Sequence, residues 1–117
     1  MRLTELEPQF YKRLDDKLSQ QVDSITEADG IRFLCPVCWK KNGGPVGTHA
    51  ILCWNPSVPQ TTTPKGGRWN LVGTGYHDLS LVAGSSSVLI HGSEEEKAKG
   101  IVEHWHGFVQ NGEVTHC

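Results

Sequence analysis

Four side chains in this chain have the types and spacing to hold a metal. Cys35 and Cys38 lie in "CPVC", and His104 and His106 lie in "VEHWHGFVQNGEV". A C-x-x-C turn can bring two thiolates to one ion while the backbone amides of the tight loop point at the sulfurs. In an extended strand, His104 and His106 face the same side about 6.6 Å apart, close enough for two imidazoles to converge. Such a Cys2His2 set suits zinc in a structural role. It would close a loop of roughly 65 residues, so the cross-link would constrain the unfolded chain substantially.

Other donors are available for the fourth corner. His49 and Cys53 give C-x2-C-x10-H-x3-C with the first pair, but "HAILCW" reads as a strand. Residues four apart in a strand are about 13 Å apart, too far for both to reach one ion. Either could still contribute singly, and Cys53 on an apolar strand is more simply a buried small hydrophobe. A redox pair shares the C-x-x-C spacing and would want a helix starting at Cys35. "CPVCWKKNGGP" runs into Gly-Gly-Pro within a few residues, which reads as poor helix and favours the metal.

Catalytic constellations are sparse. His77-Asp78 in "GYHDLS" reads more simply as a turn with a solvated charge. The serines of "AGSSSV" lack the G-x-S-x-G context of a nucleophile. The pattern points away from an enzyme, and no catalytic residue is assigned. The alternative is a zinc-dependent hydrolase with an open metal position and Glu103 as general base.

The elements that must position these donors form an α+β domain over residues 1–117. Apolar residues at Leu3, Leu6, Phe10, Leu14, Leu18, Val22 and Ile25 step by three or four, which predicts an amphipathic N-terminal helix within a helical segment 1–29, broken near Pro8. "ITEADG" predicts a helical turn stopped by Gly30. Over 30–117, "IRFLC", "HAILCW", "RWNLV", "DLSLV", "SSVLI" and "HGFVQ" predict short strands of a small antiparallel sheet, stapled by zinc between the CPVC turn and the C-terminal hairpin. Asn111-Gly112 is a strong type I′ hairpin signal. Residues 55–67, with three prolines, predict an exposed, mobile loop. Residues 93–100 predict a solvated loop or one helical turn. Trp39 and Trp54, beside loops, are the tryptophans expected to be exposed.

Composition sets the remaining bounds. The 117 residues carry a net charge of −2, with Lys and Arg scattered, which disfavours a nucleic-acid partner. No apolar run is long enough for a membrane span, and "MRLTELEPQF" lacks the apolar core of a signal peptide. The expectation is a cytoplasmic protein with a protein partner.

"EADGIRFLCPVC", "NGGPVGTHAILCW", "GRWNLVGTGYHDLSL" and "WHGFVQNGEV" together resemble a family of small bacteriophage and prophage proteins, over most of the chain from Leu3 to Val114. In that family CPxC is followed much later by C-x-W-H-G-F-V-x-N-G. The resemblance implies a Cys, Cys, Cys, His metal site closing on the final hairpin, and a bacterial host cytoplasm. Cys35, Cys38 and His106 match it. Glu103 stands where the family has its third cysteine, so Glu103 or His104 would take that corner, or the fourth position stays open. The resemblance implies an accessory role, inhibiting or adapting a host or defence complex, and no particular reaction.

Overall fold

The computed structural model describes residues 1–63, 67–82, 88–91, 98 and 103–116, the side chains of 88–91, 103, 104 and 116 excepted. The expectation for 93–100 therefore lies outside the described residues, apart from the exposed Ala98.

The N-terminal segment is not the expected helix. A 3-10 turn, Leu3–Leu6, is followed by strands β1 (Gln9–Arg13) and β2 (Ser19–Val22), paired as an antiparallel hairpin, and then by a second 3-10 turn, Ile25–Glu27. The cause is an ambiguity of period. Steps of four are also multiples of two, so Phe10 and Val22 fit strand alternation as well as a helical stripe, and they sit directly opposite each other. Asp15 decides between the two. Its Oδ1 accepts from the amides of Lys17 and Leu18, which closes a turn where the helix would have run through. Leu14 and Leu18 are left exposed at that turn. The second 3-10 turn ends at Ala28, and Gly30 instead opens a strand.

The strands expected after residue 30 all form. β3 (Gly30–Leu34) leads into a short helix, α1 (Pro36–Asn42), and then β4 (Ala50–Trp54). The "RWNLV" segment splits into β5 (Gly67–Arg68) and β6 (Asn70–Val72). β7 (Ser80–Val82), β8 (Val88–His91), β9 (Glu103–Gln110) and β10 (Glu113–His116) follow. They assemble as a five-stranded sheet β2-β1-β3-β4-β5, a three-stranded sheet β10-β9-β8 and a two-stranded ribbon β6-β7. All pairings are antiparallel except β4 with β5.

Phe10, Ile31, Phe33, Ile51 and Cys53 line the buried face of the larger sheet, and Trp105 and Val109 face them from β9. The rings of Phe33 and Trp105 meet edge to face, with centroids 6.2 Å apart. The hairpin tip has the predicted type I′ geometry, with φ of 47° at Asn111 and 74° at Gly112. It is held from both sides, since Leu3 donates to the Gly112 carbonyl and the Gly112 amide donates to Leu79.

The described part of the proline-rich loop, residues 55–63, is mostly exposed as expected, with two residues tucked in. Val58 and Thr62 are buried, Arg13 Nε donates to Thr62 Oγ1, and Arg68 donates to the carbonyls of Val58 and Pro59. Trp54 is fully buried rather than exposed, and Trp39 is half-buried. Among the described residues no helix is long and apolar enough to cross a membrane.

Candidate metal centre

The β3–β4 ladder runs to its end at Leu34 opposite Ala50, and one further bond continues it: the Cys35 amide donates to the His49 carbonyl at 2.9 Å. This bond sets His49 against Cys35 across two chain segments. The chain then turns into α1, with Cys35 as its N-cap and Pro36 in its first turn, where a missing N–H costs nothing. One turn of helix brings Cys38 back beside Cys35.

The helix at "PVCWKKN" corrects the expectation of poor helix. Gly43 follows it with φ of 69°, a left-handed cap, and both Gly43 and Gly44 donate to the Trp39 carbonyl. The Gly-Gly-Pro stretch thus terminates a helix that has already formed. The return loop is tied as well. Thr48 donates from its hydroxyl to the Gly44 carbonyl and from its amide to the Pro45 carbonyl, and Asn42 Nδ2 donates to the Thr48 hydroxyl. These bonds deliver His49 to the start of β4 in a fixed place.

The result is a cluster of Cys35, Cys38 and His49 whose donor atoms all lie within 4.8 Å of one another. Around a tetrahedral zinc with bonds of about 2.3 Å to sulfur and about 2.0–2.1 Å to nitrogen, donors stand up to about 3.8 Å apart. Closing the cluster therefore needs movements of about 1 Å or less. Two thiolates and an imidazole are a borderline-soft set that suits zinc and poorly suits magnesium or calcium. The residues present fit the ion.

Burial grades across the cluster, from the buried Cys35 through the half-buried Cys38 to the exposed His49. Burial pushes the Cys35 thiol up to about 11, while the amides of Cys38 and Val37, hydrogen-bonded to the sulfur, pull the other way. That arrangement keeps a neutral thiol in the absence of a cation and supplies ready-made donors once a cation makes the thiolate.

The structure brings together only part of the expected set. Cys35 and Cys38 are joined by His49, an alternative for the fourth corner. His106 is described and is not a member of the cluster. It lies on the strand face opposite Trp105 and Val109, which point into the core that also holds Cys35. Among the described residues the CPVC turn therefore meets His49, just before β4. The side chains of His104 and Glu103 lie outside the described residues. Cys53 is not a member either. It sits four residues along β4 from His49, wholly buried in the core, where desolvation alone drives its thiol pKa upward. The strand argument against a closed knuckle therefore holds for Cys53. The register of β3 against β4 was the missing signal for His49, because it sets residue 49 across from residue 35.

The pair His77-Asp78 behaves as a turn. Asp78 Oδ1 accepts from the amides of Thr74 and Gly75, and Oδ2 accepts from the Thr74 hydroxyl. Those bonds, the Thr74 hydroxyl first, hold its carboxyl down to about 2. The charge is already committed to the loop.

No family model, no curated protein and no solved structure matches the chain.

Proposed function

We propose that this chain is a zinc-stapled binding protein, with Cys35, Cys38 and His49 holding a structural zinc and a protein partner as its target. The convergence of three donors from a strand end, a helix and a loop exit, all within 4.8 Å, carries the reading. Zinc there would fasten α1 and the 43–49 return loop to the ends of β3 and β4, inside the larger sheet. Thiolate-rich sites are predominantly structural, which supports a binding role over a catalytic one. The resemblance to phage and prophage proteins supports an accessory role in a bacterial host cytoplasm, acting on a host or defence complex.

A second reading has one observation in its favour. Cys2His with an exposed histidine is also the protein donor set of catalytic zinc, which takes water or substrate in its remaining position. Glu103 is the general base this reading would use.

The test is elemental mass spectrometry on protein purified without a polyhistidine tag, followed by chelation under circular dichroism. One zinc per chain, with loss of folded signal on chelation, is the expected result. A metal-free protein of full stability would overturn the reading. Zinc-dependent ester or amide hydrolysis that Glu103→Gln abolishes, at unchanged zinc content, would favour the second reading.

A further inference from the structure

The larger sheet has one face turned away from the core, and a cleft of about 230 Å³ opens on it. Its walls are Tyr11, Ser19, Arg32, Leu52 and Trp54. Register explains why they meet. Tyr11 lies opposite Gly30, Gly30 opposite Trp54, and Arg32 opposite Leu52, so all of them project to the same side. The 55–63 loop and Arg68 cover the Trp54 end. Among the described residues the middle of the face is open.

The arginines of this face differ in whether they are already paired. Arg32 is exposed, and among the described residues it has neither a carboxylate nor a carbonyl partner. Arg13 and Arg68 are different. The first is bound to Asp16 and Thr62, the second to backbone carbonyls. The residues opposite Arg32 on its neighbouring strands are Gln9 and Leu52, and Tyr11 lies opposite Gln21. The cleft is thus an apolar and aromatic recess beside a guanidinium that is unpaired among the described residues, in a chain whose net charge is negative. A polyanion such as nucleic acid needs several free cations in a row. One fixed fork next to an apolar recess suits one carboxylate next to one large apolar side chain.

We propose that this cleft is the partner-binding surface, and that it takes a protein segment presenting an Asp or Glu beside a large apolar residue. The apolar side chain enters between Tyr11 and Leu52, and the carboxylate pairs with Arg32. This inference rests on the protein-binding half of the function proposed above and is independent of the zinc.

The test is selection of a displayed library of random peptides on the immobilised, zinc-loaded full chain, with winning peptides measured by fluorescence polarisation. Enriched peptides are expected to carry an acid adjacent to Phe, Leu, Ile or Trp. Arg32→Glu, at an exposed position, should weaken them at least tenfold, with circular dichroism confirming the fold. Replacing the peptide acid by Lys should restore binding to Arg32→Glu, and Tyr11→Ala should weaken the original peptides. Peptides that bind Arg32→Glu as tightly as the parent would overturn the surface while leaving a protein-binding function standing elsewhere. No enrichment, with a labelled oligothymidylate binding through Arg32 instead, would overturn both.

Discussion

The amide of Cys35 donates to the carbonyl of His49 at 2.9 Å, one step beyond the last paired residues of β3 and β4. A sheet register thereby helps to gather three donors that could hold a metal ion. Because the ladder fixes residue 49 against residue 35, and the first turn of α1 returns Cys38 to the same place, no further element has to be recruited to gather three donors.

The three donors should respond to substitution differently from Cys53. Cys35→Ser and Cys38→Ser should each lower zinc affinity by orders of magnitude. Cys53→Ala, deep in the core and outside the cluster, should keep one zinc per chain at a stability cost of about 1 kcal/mol. Competition with a chromophoric chelator measures the first effect and urea unfolding the second.

Zinc affinity should climb with pH through the neutral range. The Cys35 thiol, raised to about 11 by burial, is protonated there, so binding must release its proton. Each proton released makes the apparent Kd fall about tenfold per pH unit. Chelator competition at pH 6, 7 and 8 reads the slope. A flat profile would mean that no thiol proton is displaced.

Asp78 should contribute to acid stability in a defined window. Its carboxyl is held at about 2, below the ordinary 3.8, so its contribution is complete above 3.8 and disappears as pH falls through the folded value. Relative to Asp78→Asn, the parent should therefore melt higher near neutrality, and the gap should close between pH 4 and about 2. Thermal melts of both proteins across that range provide the check.

Gly112→Ala should destabilise the closing hairpin by at least about 2 kcal/mol. Its φ of 74° disfavours any side chain, and a Cβ there would lie 2.1 Å from the His77 carbonyl oxygen. Denaturant unfolding measures the loss. Asn111→Gly, at φ of 47°, should be tolerated because glycine adopts that geometry freely.

Much of the β architecture was legible because its signals are local. Alternating apolar residues marked the strands, and Asn111-Gly112 marked the hairpin. The N-terminal stripe misled because four-residue steps satisfy both periods, and only the Asp15 turn separates hairpin from helix. The Gly-Gly-Pro stretch was legible as a break but not as a cap on a helix seven residues long. In the candidate cluster, the nearness of Cys35 and Cys38 was legible from their spacing. His49 was not, because its place depends on strand register, a non-local property that types and spacings along the chain do not carry.

The most direct test of the central claim is zinc content per chain, by elemental mass spectrometry, of His49→Ala beside His106→Ala, both freed of tags and dialysed against a weak chelator. A zinc held by Cys35, Cys38 and His49 predicts that His106→Ala keeps its zinc and His49→Ala loses most of it. Zinc retained in His49→Ala and lost in His106→Ala would contradict it and return the metal to the closing hairpin.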